Sequence, residues 1–156
     1  MEMTSEAREF WAQKERETGG PIEFKSFAIL MGRMTEGKMD RSGILYISQK
    51  TLYFQDFEKQ DPLGWLFQRK KKTYQPYTAS MPLSEIADFR LIPEIDAARA
   101  LKGTLPPSET RTFTTVRFFG AKQVSQIILK NDDSLFMEIM DHKGLAGKLA
   151  GGAAAE

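Results

Sequence analysis

The chain has 156 residues, no cysteine, one histidine and a formal net charge of +1 at pH 7. Its length fits one domain with a full hydrophobic core. The near-neutral charge argues against a nucleic-acid-binding protein, because phosphate recognition calls for a strongly basic surface. Without cysteine, the chain has no disulfides, thiolate nucleophiles or cysteine-based zinc sites.

The sequence also lacks recognisable targeting segments. The N-terminus has neither the basic nor the apolar region of a signal peptide, and no run approaches the ~20 apolar residues of a membrane span. We therefore expect a cytoplasmic protein without a transmembrane segment, with peripheral contact at a membrane surface as the open alternative. No motif calls for a cofactor or a metal, and the sequence does not indicate an oligomeric state.

A helix is predicted over residues 4–17. Thr4 or Ser5 can cap it, and its apolar residues fall on one face at helical spacing. That face comprises Met3, Ala7, Phe10 and Trp11. We expect it to pack on the domain, the alternative being that it docks a partner chain or a membrane.

The clearest β signal is a hairpin. Two runs rich in β-branched and aromatic residues, Gly43–Ser48 and Thr51–Phe57, flank the short polar link Gln49-Lys50. This pattern is typical of antiparallel strands joined by a tight turn. A further strand is predicted before it, over Ile22–Met31, followed by a loop over residues 32–41.

Residues 63–72 are unusual because aromatic residues adjoin a run of cations. Trp65 and Phe67 precede the four consecutive cations Arg69, Lys70, Lys71 and Lys72. One interpretation is a loop tip whose rings enter a lipid interface while the cations meet anionic headgroups. The other is a packed segment whose charges are solvated and discourage pairing at a sheet edge.

The second half of the chain alternates short strands and helices. Strands are predicted around residues 81–86 and 87–92, and a short helix over Glu94–Leu101 begins after Pro93. Strands over Thr110–Phe119 and Gln123–Lys130 are expected to pair with each other.

The C-terminal part is predicted to hold the last helix. Asn131–Ser134 resembles a helix N-cap, and Asp132 and Asp133 are attributed to capping. The spacing of Leu135, Phe136, Ile139 and Met140 favours a helix over a strand, although the strand stays open. His142 would then lie near the helix end, where the dipole favours a cation. The Gly/Ala-rich residues from Gly144 on are expected to fray.

The hairpin and a later strand resemble a known family. Ser42–Ser48 with Thr51–Phe54, followed by Met81–Ile86, are similar to the paired hairpin and "I-P-L-x-x-I" strand of GRAM domains, within the pleckstrin-homology-like superfamily. The resemblance covers roughly residues 22–142. It implies a mainly β fold with some α structure, a seven-stranded split barrel closed by a C-terminal helix. Phe136 and Ile139 would point inward from that helix. The N-terminal helix lies outside the family pattern.

The implied organisation is an N-terminal helix over residues 1–20, a pleckstrin-homology-like domain over 21–143, and a flexible tail over 144–156. Those pleckstrin-homology domains that bind phosphoinositides place cations on the first strand and the first inter-strand loop, whereas many domains of this fold bind proteins instead. Lys25, Arg33, Lys38 and Arg41 occupy similar places here, but the family's tight Lys/Arg-x-Arg pair is absent.

Catalysis is not expected. A single histidine and no cysteine leave no evident nucleophile–base pair. We therefore predict a non-enzymatic binding module that contacts a membrane surface or an acidic protein partner through its basic and aromatic loops. The alternatives are a protein-interaction domain without lipid affinity and, less favoured, a small carboxylate-dependent enzyme.

Overall fold

The computed structural model describes residues 5–56, 77–113 and 122–154. In these ranges the chain is mainly β, with a seven-stranded antiparallel sheet that curls into a half-barrel and three α-helices. The strands are β1 (Phe24–Arg33), β2 (Gly37–Ser48), β3 (Thr51–Asp56), β4 (Thr78–Pro82), β5 (Ile86–Pro93), β6 (Gln123–Leu129) and β7 (Ser134–Ile139). The helices are α1 (Ser5–Thr18), α2 (Glu94–Leu101) and α3 (His142–Ala154).

The sheet consists of two meanders joined through its first and last strands. The strand order is β4-β3-β2-β1-β7-β6-β5, and all neighbours are antiparallel. Ala28 of β1 lies opposite Gly43 of β2 on one side and opposite Ile139 of β7 on the other. The expectation of a mainly β protein with seven strands is confirmed.

The predicted hairpin is present, and its turn is tight. Ser48 pairs with Thr51, so only Gln49 and Lys50 connect β2 to β3. Both have positive φ angles, 52° and 58°. Two successive left-handed residues give a type I′ turn, whose twist matches that of the flanking strands.

The main core lies on the concave face of the sheet, where alternate residues of each strand point. Leu45 and Ile47 of β2 contribute to it, as do Leu135, Met137 and Ile139 of β7. Helix α3 covers this face and inserts Leu145, which is fully buried. A closing helix after the last strand is therefore present.

The outer face of the sheet carries the other two helices. Helix α2 packs over β5, β6 and β7, where Ala97 and Ala100 join Phe136 in a smaller core cluster. Phe136 thus lies beneath α2 rather than pointing inward as expected, whereas Ile139 does belong to the main core. Helix α1 places the Trp11 ring edge-on to Tyr46 of β2, with centroids 5.7 Å apart.

The prediction of a helix from residue 134 was wrong. Residues 134–139 form strand β7. Five of its six residues are buried, so both faces of the strand are covered by other parts of the protein. An apolar run buried on both sides loses the alternation that marks a strand, so its spacing resembles that of a helix. The helix begins at His142 instead and includes the residues from Gly144 on, where fraying was expected; Leu145 and Leu149 pack it on the core.

The expected strand over 110–119 is not seen in the part that the structure describes. Residues 110–113 are irregular, and residues 114–121 lie outside the described ranges. Within those ranges β6 pairs with β5 and β7. None of the described helices is long and apolar enough to cross a membrane. The domain boundaries stay predictions.

Candidate functional site

The four cations expected to bind anions do not converge on one point. Lys25 is the second residue of β1 and Arg33 is its last. Eight residue-to-residue steps of extended chain place their Cα atoms roughly 26 Å apart. Lys25 places its ammonium 4.9 Å from the centroid of the Trp11 ring, so it lies next to α1 rather than next to Arg33.

Arg33 already has a counterion. Its Nε donates to Asp133 Oδ2 at 2.6 Å, and the Asp133 side chain is only 3% exposed. Thr35 also donates to Asp133, through its backbone N–H at 3.3 Å and through its hydroxyl at 3.2 Å. The carboxylate therefore ties the β1–β2 turn to the residue preceding β7. It does not cap a helix, so the capping role predicted for Asp133 was wrong.

Arg41 is paired in the same way. Its Nη1 lies 2.8 Å from Asp56 Oδ2, and its guanidinium carbon lies 5.6 Å from the centroid of the Tyr77 ring. The Tyr77 hydroxyl donates to Glu36 Oε2 at 2.6 Å. Burial, followed by this hydrogen bond, raises the pKa of Tyr77 above its ordinary value.

Two of the described cations at this end of the sheet are each paired with a nearly buried carboxylate. Arg33 bonds to Asp133 and Arg41 bonds to Asp56, whereas Lys38 is exposed. Among the described residues, an anionic headgroup that approached either arginine would have to compete with its carboxylate.

The remaining predicted site residues cannot be placed. Trp65, Phe67, Arg69, Lys70, Lys71 and Lys72 lie outside the described residues. The prediction that they face a membrane or an acidic partner stays a prediction from sequence.

A groove that the sequence did not suggest lies where the two meanders meet, and we call it the split groove. It has a volume of about 670 Å³, within the usual range for ligand sites. Its lining includes Phe27, Ile29, Leu91, Lys122, Gln123, Ser125, Glu138, Ile139, Met140 and His142. Two of its apolar side chains are well exposed, Phe27 by 60% and Met140 by 81%.

One charged cluster borders the split groove. Lys122 Nζ lies 3.0 Å from Glu138 Oε1 and 3.4 Å from Glu94 Oε2. The hydrogen bond to Glu138, more than the one to Glu94, raises the pKa of Lys122. Among the described residues, one ammonium lies between two carboxylates, which gives this cluster a net charge of −1.

The single histidine lies at the inner end of the groove. His142 is the first residue of α3 and does not lie near the C-terminal end of a helix as predicted, so the helix dipole disfavours a cation there. Its Nδ1 lies 2.5 Å from Ser125 Oγ, and its ring stacks on Phe89 with centroids 4.5 Å apart. Burial lowers the pKa of His142 below its ordinary value, which favours the neutral ring.

The sequence did not predict this contact between Ser125 and His142. Ser125 lines the split groove but is only 1% exposed, so its hydroxyl offers little surface to a molecule in the groove. Among the described residues, no carboxylate hydrogen-bonds to the His142 ring, so the third member of a Ser–His–carboxylate triad is not seen there. The described residues also contain no group of three or more acidic or histidine side chains placed to hold a metal ion.

Sequence reasoning missed the partners of the cations and the groove itself. Asp56 was predicted only as part of a hairpin strand, and Asp133 only as a helix cap. The pairing of β2 with β3 brings Asp56 near Arg41, and the pairing of β1 with β7 brings Asp133 near Arg33. Comparison of the chain with family models, with curated proteins and with solved structures finds no match.

Proposed function

We propose that the protein is a non-enzymatic binding module with a pleckstrin-homology-like, GRAM-type fold, acting as an adaptor that binds a protein partner at the split groove. Two meanders of four and three strands, with helix α3 closing the concave side after β7, support the fold assignment. A cytoplasmic location, expected from the sequence, belongs to the same proposal.

The observation that carries the proposal is the split groove with its exposed apolar rim. Met140 is 81% exposed beside Ile29 and Leu91. Exposed apolar side chains grouped around a concavity are a common mark of protein interaction surfaces. Burying a side chain of this size gains about 1.5–3 kcal/mol, so a partner would benefit directly.

The described cations favour this protein partner over a lipid headgroup. Arg33 and Arg41 are each bonded to a nearly buried carboxylate, and an anionic headgroup would have to compete with it. Leaving such a carboxylate unpaired costs several kcal/mol. The lipid alternative therefore depends on the sequence of residues 65–72.

Site-specific photo-crosslinking tests the proposal. A photoreactive residue at position 140 should give a discrete adduct in a lysate of the source organism, and unlabelled protein should compete for it. The matched control carries the same residue at position 95, since Ile95 is 52% exposed on α2 outside the groove lining. No adduct at position 140, or the same adducts from both positions, would refute binding at the groove.

A further inference from the structure

The split groove exists because strands β6 and β7 separate. Their described register runs from Ile128↔Ser134 to Ser125↔Met137 and ends there. Beyond that point β7 continues along β1, where Ile139 pairs with Ala28, while β6 continues along β5, where Gln123 pairs with Pro93. The sheet therefore opens between the last residues of β7 and the first residues of β6.

The opening is faced by main-chain groups of both strands. In an antiparallel strand the N–H and C=O of one residue point to the same side, and successive residues alternate. The Met140 N–H donates to Phe27 O at 3.0 Å, so the main-chain groups of Met140 point towards β1 and those of Ile139 point towards β6. The main-chain groups of Met137 point to the same side as those of Ile139, towards β6. Because Met137 pairs with Ser125, the main-chain groups of Ser125 point towards β7, and so do those of Gln123 two residues before it. Ile139 and Gln123 thus direct donors and acceptors into the split from opposite sides.

This combination selects the class of ligand. A lipid chain would satisfy the apolar lining but not the main-chain groups, whereas an extended polypeptide supplies N–H and C=O groups along its edge and side chains on alternating faces. The rim formed by Lys122, Glu94 and Glu138 carries a net charge of −1. A basic residue in the bound segment would complement that rim.

We infer that the split groove binds an extended segment of a partner protein, with apolar side chains at alternate positions and a basic residue at one end. Its main chain pairs with Ile139 and Gln123, and its apolar side chains contact Ile29 and Met140. This inference rests on the proposed function and specifies how the partner is recognised.

The test uses the full chain and a pool of blocked heptapeptides with Val, Ile, Leu or Phe at alternate positions and Arg at one end. Binders selected from the pool should shift the backbone amide resonances of Ile139 and Gln123. Replacing their central residue by Pro, which removes an N–H, should weaken binding about tenfold, and Arg→Glu should weaken it about fivefold. Met140→Glu should weaken binding about tenfold, while the matched variant Ile95→Glu should stay within about twofold of the wild type.

Three results would overturn strand recognition. They are a pool without binders, Pro-containing peptides that bind as well as their parents, and equal effects of Met140→Glu and Ile95→Glu. If the position-140 crosslink forms but the pool yields no binders, the protein is a binding module and this mode of recognition is wrong. If both experiments fail, the proposed function is wrong as well.

Discussion

Arg33 and Asp133 join the two meanders of the sheet through one short ion pair. The Arg33 Nε lies 2.6 Å from Asp133 Oδ2, and the two side chains are 23% and 3% exposed. The same carboxylate accepts the Ser134 backbone N–H at 2.9 Å through its Oδ1. A charge this deeply buried is tolerated only with its partners in place.

Asp133→Ala should therefore lower the free energy of unfolding by about 3 kcal/mol, since it leaves a largely buried guanidinium and two backbone donors without their acceptor. Urea denaturation measures this value. Arg33→Met and the variant with both substitutions complete a double-mutant cycle. The coupling energy between Arg33 and Asp133 should exceed about 1 kcal/mol. Additive losses would show that the two residues act independently.

A single substitution in the β2–β3 turn should stabilise the protein. Lys50 has a φ of 58° and an exposed side chain, and its carbonyl accepts the Leu83 N–H at 2.9 Å. Lys50→Gly keeps that hydrogen bond and relieves the left-handed strain, so it should raise the free energy of unfolding by about 0.5–1 kcal/mol. Lys50→Ala is the control, because alanine keeps the strain. Equal stabilities of the two variants would contradict this explanation.

Trp11 fixes α1 on the sheet. It is half-buried, between the Tyr46 ring and the Lys25 ammonium. Trp11→Ala should lower the free energy of unfolding by about 1–2 kcal/mol, less than for a fully buried aromatic. Glu9→Ala, on the exposed side of α1, should change it by less than about 0.5 kcal/mol. A Trp11 variant as stable as the wild type would mean that α1 does not contribute to folding.

The elements that sequence predicted well are those with a local cause. The hairpin turn follows from two strand-forming runs and a polar dipeptide, and helix α2 follows from Pro93 at its start and Gly103 after its end. Each signal lies within a few residues of the element that it specifies, so no tertiary information is needed.

The errors concern residues whose environment is set by distant parts of the chain. Phe136 is buried because α2 covers the outer face of β7. With both faces covered, β7 has an unbroken apolar pattern, and for this reason it was predicted as a helix. Likewise, Arg33 was expected to be available to a ligand, and only the pairing of β1 with β7 brings Asp133 beside it. The split groove depends on where two registers end, which no local pattern encodes.

His142 should make stability depend on pH. Burial lowers its pKa in the folded protein below the ordinary value of about 6.5 that applies to the unfolded chain. At a pH between these two pKa values, the unfolded chain binds more protons than the folded protein. The contribution of His142 to stability is therefore fully present above about pH 6.5, and it is lost as the pH falls towards and through the lowered pKa of the folded protein.

Urea denaturation at pH 7.5 and pH 5.5 checks this expectation. The wild type should lose more stability between these pH values than His142→Gln, which has no group titrating there. The range also stays above the titration of Asp96, whose pKa is lowered chiefly by its hydrogen bond to Arg111. Parallel losses in the two proteins would show that His142 does not titrate differently on folding.

The lipid alternative is decided by the four consecutive cations at residues 69–72. Beside an anionic membrane each near-surface Lys or Arg contributes about 1 kcal/mol, and the neighbouring Trp65 and Phe67 could add insertion of their rings. Replacing the four cations by Gln should leave folding nearly unchanged and abolish salt-sensitive sedimentation with anionic liposomes.

A matched variant changes four exposed cations elsewhere to Gln, namely Arg8, Arg16, Lys130 and Lys143, so that its net charge is the same. If the wild type does not bind anionic liposomes at low salt, the lipid alternative is wrong. If both variants lose binding equally, net charge rather than this segment is responsible, and if the first variant unfolds, the segment is structural.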